Sequence, residues 1–498
     1  DAYWDVWTKG MGWAGIGKLP DDRDHLMFNG QTRQYINVSL CSKLGYGCPA
    51  MAKEYETIDA YAGSILSGDE AKSEKYNAAK WPKDATFGNT WWLMRQVPMF
   101  HMYSTIKRFK NNPEQCGEEL KVLWAKARAT MKEVVAKGPV EGLVKYAEAL
   151  AEAAFPALDL QTCGAFVTLG IFKELGQQLR KGETQQIKDD AVAMMLGFTG
   201  DPLMEMNIAM YRLARELHPT FWEEYDDKLS ELAKRIHENV VGAATDLPAS
   251  FVASWKAFIN EHGYDGVDQL FVSSPRYHEN PVLLLEKLRH SVGPEVADPE
   301  KAMLQARERR QEVQERQLRE ANLKAAEAGW MQAWSAGSEA RAIQQRNLAL
   351  DQMMWIRNAP KLFQAEIFSA VRTGVRSCEA QLLKSGRLDE AGDVFHLKMA
   401  EVDQALGDPS VNLRAVVAPR KAQYLRAKQA TTCPFLVDSR CRMLKPNVKA
   451  QEPGTLVGTA ISPGVATGTV RILTSSREKL EKGDILATVV TDPSWTPL

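Results

Sequence analysis

No block of like charge runs along this chain. Its 62 lysines and arginines stand against 63 aspartates and glutamates, intermingled, for a net charge of −1. That balance gives no electrostatic case for nucleic acid or an anionic membrane as a partner. Cysteine is scarce and unpatterned: seven residues, with no Cys-x-x-Cys pair. Cys41 and Cys48, like Cys433 and Cys441, are close without zinc-ligand spacing, so reduced thiols and a cytoplasmic setting are expected. No stretch reads as the run of about 18 apolar residues that a membrane span needs. Asp1 is not an initiator residue, so an N-terminal targeting segment is not readable here. A phosphate-cradling loop is also lacking. "GMGWAGIGK" is glycine-rich, but no strand precedes it and no Gly-Lys-Ser/Thr closes it, which reads as a flexible loop. The histidines, His262, His278 and His396 among them, fall at no metal-ligand spacing, and no metal is expected.

What is present suffices for a sizeable core. Apolar residues at 45% and charged residues at 25% are in the ordinary globular range, and the length allows about two to four domains. Residues 1–83 read as a mixed region with short strands, "RQYINVSLCSKLGYG" offering β-branched and aromatic residues beside a glycine. Residues 84–445 read as helical. Leu120, Leu123, Trp124, Ala127, Met131 and Val134 recur at three- and four-residue steps until Gly138 stops them. "PLMEMNIAMYRLARELH" and "PVLLLEKLRHSVG" repeat the habit. "DPEKAMLQARERRQEVQERQLREANLKAAEAG" carries charges at i,i+3 and i,i+4 and reads as a long solvated amphipathic helix. Residues 446–453 are polar with Pro446 and Pro453, a linker. From 454 to 498, "GTLVGTAISPGVATGTVRILTS" is glycine-punctuated and β-branched, the pattern of short strands and tight turns. About 45 residues are too few to bury a core alone, so an incomplete domain is expected.

Those last residues resemble a known family. "GTAISPGVATGTVRIL" followed by "LEKGDILATVVTDPSWTPL" is similar to the opening of the swivelling phosphohistidine domain of PEP-utilising enzymes. Gly458, Ser462, Gly464, Gly468, Val470 and Arg471 match its first strand pair; Gly483, Asp484, Asp492, Pro493, Trp495, Thr496 and Pro497 match the next strand and turn of that domain. "GRLDEAGDVFHLKMAEVDQAL" resembles the segment that precedes this domain in rifampicin-phosphotransferase-like proteins, with His396 where tyrosine is common. "HGYDGVDQLFVSSPRYHENP" resembles their Pro-Arg loop through Gly263, Pro275, Arg276, Tyr277 and Pro281, with Asp265 in place of arginine and Gln269 in place of glutamate. "QQRNLALDQMMWIRNAP" resembles the Arg-Glu-Asn helix, with Asn347 where glutamate is usual.

The resemblance implies a mainly α protein: a large multi-helix domain, a few short strands near the N-terminus, then a truncated β/α swivelling phosphohistidine domain. It implies a fragment of an ATP-dependent dikinase-type phosphotransferase, in which a phosphohistidine beyond Leu498 carries phosphate from ATP and Mg²⁺, bound outside this chain, to a hydroxyl-bearing small molecule. The implied partners are that acceptor, an ATP-grasp domain and the rest of the carrier domain, and the chain alone is expected to show no turnover. Arg276, Arg346 and Arg372 are candidates to meet the phosphorylated histidine, or else salt bridges holding helices. Met204 and Met206 are candidate contacts for a hydrophobic acceptor, or else helix core. Gly464, Gly468, Gly483, Asp484, Asp492, Pro493 and Trp495 are expected to shape the carrier domain. His262 or His278 could assist acceptor deprotonation, and His396 is expected to be packed. A PEP synthase, a related condensing enzyme and a non-catalytic helical scaffold remain alternatives.

Overall fold

The structure is a computed structural model and describes residues 27–29, 34–36, 99–292, 296–328, 333–430, 436–437, 443–444, 465–473, 478 and 480–488. It is mainly helical. Strands β1 (Met27–Asn29) and β2 (Gln34–Ile36) pair antiparallel, Phe28 opposite Tyr35. Helices follow in the order α1 (Met99–Asn111), α2 (Pro113–Lys137), α3 (Leu143–Lys181), α4 (Gln185–Met194), α5 (Pro202–Ala214), α6 (Pro219–Glu224), α7 (Leu229–Val240), α8 (Ala249–His262) and α9 (Val282–Leu288). Then come α10 (Pro299–Glu327), α11 (Ala333–Met353), α12 (Ala359–Lys384), α13 (Met399–Gly407) and α14 (Leu413–Lys428). Strands β3 (Leu436–Val437) and β4 (Met443–Leu444) form an antiparallel pair, and β5 (Val470–Ile472) and β6 (Ile485–Ala487) a parallel one.

The chain divides into two units. One comprises Asp1–Tyr103, Gly142–Val144 and Ser377–Pro463; the other comprises Ser104–Glu141, Lys145–Arg376 and Gly464–Leu498. The second unit holds an extensive apolar core among the described residues. Met206, Met210 and Leu213 of α5, Leu232 and Ile236 of α7, Phe251, Trp255 and Phe258 of α8, and Leu284, Leu285 and Leu288 of α9 pack together with Tyr277 and Leu362. These positions recur every three or four residues, so each helix buries one stripe. Pro202 opens α5 and the Asp201 carboxylate caps it, accepting from Leu203 and Met204 N–H at 2.9 and 3.3 Å. A second core joins Leu175 of α3, Ala193 and Met194 of α4, Val313 of α10, and Leu350 with Met354.

α10 is the long helix expected of this stretch; Asp298 caps its start and Pro299 is its first residue. It is not solvated all round, because Arg310 is 2% exposed. That guanidinium donates to the carbonyls of Leu196 and Gly197, both at 2.9 Å, and pairs with Asp351 at 3.1 Å. Gly197 has to be glycine: its φ is +71° and a Cβ would lie 2.2 Å from Arg307 N. Contrary to the sequence expectation, the stretch Leu143–Leu179 of α3 is long and apolar enough to cross a bilayer by length and composition. Leu150, Ala154, Ala157, Leu160 and Leu175 along it are buried against protein.

In the first unit, Asp403 closes the start of α3, accepting from Leu143 and Val144 N–H at 2.5 and 3.0 Å. The motif around 386–401 forms a tight turn. Gly386 has a φ of +69°, and Asp393 and Val394 are buried. Lys421 pairs with Asp393 at 2.9 Å, and Arg420 grips Glu401 at 2.7 and 2.8 Å.

Candidate functional site

The Pro-Arg loop of the second unit leaves α8 at Gly263 and returns to α9 at Pro281. Two backbone hydrogen bonds close its base: Tyr277 N–H donates to the Asp265 carbonyl at 2.8 Å and His278 N–H to the Gly263 carbonyl at 3.1 Å. Gly266 lets the two strands of the base touch, since a Cβ there would lie 2.5 Å from the Pro275 carbonyl oxygen. Asp268 takes a φ of +55°, a left-handed turn that aspartate tolerates better than most residues. The tip exposes Val267 and Phe271.

Two arginines hold this loop. Arg372 on α12 donates from Nε to both Glu279 oxygens at 2.8 Å and from Nη1 to the Val272 carbonyl at 2.8 Å. Arg276 is completely buried and donates from Nη2 to the Phe271 carbonyl at 3.2 Å. Burial, with the like charge of Arg372 adding to it, pushes the Arg276 guanidinium down to about 10. Burial pushes the Asp265 carboxyl up, opposed by the Gly266 N–H and by Lys287, Arg276 and Lys361. Arg276 and Arg372 therefore meet in one joint, where the sequence placed them only as separate candidates. Arg346 lies on α11, donating to Gln317 at 2.6 Å and pairing with Glu174 at 3.5 Å. Met206 is buried in the apolar core of the second unit, and Met204 is half-buried one turn from the start of α5.

A neighbouring joint was not legible. Arg128 on α2 donates from Nε to Glu366 Oε2 at 2.7 Å, closes a second bond from Nη2 to Oε1, and reaches Glu261 at 3.3 Å. Its guanidinium lies 4.7 Å from the centre of the Trp124 ring. Burial pushes the Glu366 carboxyl up against the pull of Arg128. Burial, then the Glu366 charge, pushes the Tyr264 hydroxyl up as well. Of the histidines, His278 Nδ1 is 2.7 Å from the Gly263 carbonyl oxygen, so that nitrogen carries a proton. His262 stacks 5.0 Å from Phe258 and burial pulls its pKa down. His396 lies 5.6 Å from the Tyr424 ring. No cluster of three histidine, cysteine or acidic side chains is placed to hold a metal among the described residues. A shallow depression of about 480 Å³ over Glu315, Leu318, Arg319, Asn322 and Leu323 is formed by α10 alone and shares no residue with these joints.

The glycines of the C-terminal motif have a visible reason. A Cβ on Gly468 would lie 2.1 Å from the Gly483 carbonyl oxygen, and Gly483 has a φ of +96°. Asp484 accepts from Arg471 Nε at 3.0 Å and from Glu481 N–H at 3.1 Å. The described residues there show one parallel strand pair, not a whole β/α domain. Gly464, Asp492, Pro493 and Trp495 lie outside the described residues.

Comparison with known proteins points one way. A family model described as the rifampicin phosphotransferase fourth domain matches residues 163–345. A rifampicin phosphotransferase of Streptomyces sviceus is 28% identical over 326 residues, covering 62% of this chain and 35% of that protein. One from a Streptomyces species is 35% identical over 121 residues, 24% of this chain and 14% of that protein. One from Bacillus cereus is 22% identical over 251 residues, 49% of this chain and 27% of that protein. The chain thus spans about a third or less of the length of these relatives.

Proposed function

We propose, for a chain that is rifampicin-phosphotransferase-like and allied to the PEP-utilising enzymes, that it supplies the acceptor side of an ATP-dependent phosphoryl relay. In this reading a phosphohistidine takes phosphate from ATP with Mg²⁺ and passes it to a hydroxyl of a small molecule held by the helical part. The observation that carries it is the match of residues 163–345 to one domain of that family, a span that contains the Pro-Arg loop and its Arg276. A covalent relay splits one difficult transfer into two and lets water be excluded at each. Cationic groups near the acceptor would offset the charge of the phosphoryl oxygens. Arg372 and Arg276, already engaged with the loop, would act by holding its tip in place. Rifampicin, the compound in the relatives' name, is the first acceptor to try.

The test is to incubate the full-length protein containing this chain with γ-labelled ATP and rifampicin. An acid-labile phosphoprotein and labelled rifampicin are expected. A protein that never labels would reject the relay; one that labels but does not pass phosphate to rifampicin would reject the acceptor. A second reading, a helical scaffold that kept the fold without the chemistry, draws on Asp265, which sits buried where the family pattern has arginine. The same labelling separates the two.

A further inference from the structure

We infer that one internal water is a built part of the Pro-Arg joint, bridging the Asp265 carboxylate to the Arg276 guanidinium beneath the loop. This goes beyond the functional reading and does not depend on it. Asp265 is 3% exposed and Arg276 0%, so neither side chain reaches bulk solvent. Asp265 Oδ1 has no hydrogen-bond partner in the protein, and neither have Arg276 Nε and Nη1. The two residues are neighbours across the base of the loop: Tyr277 N–H bonds the Asp265 carbonyl, and a Cβ on Gly266 would lie 3.5 Å from Arg276 Cα. An acceptor short of donors and donors short of an acceptor are therefore carried on adjoining backbone at the base of the loop. Buried polar groups in folded proteins are almost always satisfied, by water where protein cannot reach. One water can accept from the guanidinium and donate to the carboxylate.

The other occupants fit less well. A direct ion pair would give both groups a partner, and none is present. An anion would meet Asp265 itself and Glu279, which already answers Arg372 through two bonds at 2.8 Å. The water has a mechanical consequence. With its other edge satisfied, Arg276 is free to aim Nη2 at the Phe271 carbonyl, so solvent inside the joint sets the position of the exposed tip.

A crystal structure that orders solvent is expected to show one water within about 2.6–3.2 Å of both Asp265 Oδ1 and Arg276 Nε or Nη1. A direct carboxylate–guanidinium contact, a bound anion or a dry gap would each overturn the proposal. Amide exchange at Tyr277 gives a second readout. Asp265→Asn keeps an oxygen for the water, whereas Asp265→Leu strands the guanidinium donors. The leucine variant is expected to exchange about ten-fold faster than the asparagine variant. Equal exchange in the two variants would overturn the idea, and if the leucine variant does not fold the wild-type crystal structure decides alone.

Discussion

Replacing Arg128 by methionine tests how the second unit is held together. The change keeps most of the aliphatic stem, lifts the guanidinium off the Trp124 ring and removes both bonds to Glu366, whose side chain is 8% exposed. Losing one partner of a buried pair costs about 3–5 kcal/mol because the other charge is stranded. The Arg128 side chain is 35% exposed, so solvent screens part of the interaction and about 2–4 kcal/mol is the expected loss. The pH dependence adds a signature. Burial already raises the folded-state pKa of Glu366 above its ordinary 4.5, and without Arg128 only the weaker pull of the Trp124 side chain still opposes it. A carboxyl raised on folding stabilises below its unfolded pKa and loses that contribution as pH rises through the folded value. The deficit of Arg128→Met should therefore widen from pH 4.5 towards 7. Adding Glu366→Leu removes the stranded charge, and the double variant should return to within about 1 kcal/mol of wild type. Urea titrations of all four proteins at both pH values measure this as a double-mutant cycle. A single variant as stable as wild type, or a double variant less stable than the single, would refute the stranded-charge argument.

Gly468→Ala should break the parallel strand pair, since its Cβ would fall 2.1 Å from the Gly483 carbonyl. The amide of Ile485, bonded to the Thr469 carbonyl at 2.8 Å, should lose exchange protection while those of α8 keep theirs. His262 has a folded pKa lowered by burial, so its contribution is complete above the unfolded value near 6.5 and is lost as pH falls below it. His262→Phe, packing on Phe258, should flatten the fall in stability below pH 6.5; an unchanged profile would count against the assignment. Burial pushes the Cys163 and Cys378 thiols up to about 11. Alkylation of the folded protein at pH 8 should leave both at least about ten-fold less reactive than a free thiol, with urea abolishing the difference.

Local order was legible wherever one helix decides it. The spacing of Leu120, Trp124, Ala127 and Met131 predicts α2, and those four residues are buried while the helix ends at Gly138. The charge spacing of the stretch that becomes α10 predicts a helix in the same way. The charged face of α10 misled at Arg310, whose carbonyl partner Leu196 is 114 residues away. Periodicity assigns a charged residue to solvent unless a distant backbone claims it. The joints around the candidate site are of this kind. Arg372 and Glu279 are 93 residues apart, and Arg128 and Glu366 are 238. Motif resemblance brought Arg276 and Arg372 forward as charges, but their burial and their grip on loop carbonyls depend on how α12 meets the loop, which no window of sequence contains. Glycines fared better, because a backbone contact such as Gly468 on Gly483 demands glycine whatever surrounds it.

Strands β5 and β6 run parallel, yet Val470 and Ile472 on β5 are 58% and 76% exposed. Parallel pairs are ordinarily covered on both faces, and bare β-branched edges template further pairing. Concentrated preparations of this polypeptide should consequently turn turbid sooner than those of its Ile472→Lys variant, as light scattering would measure. A lysine at position 472 would be the simplest remedy for handling it at the bench.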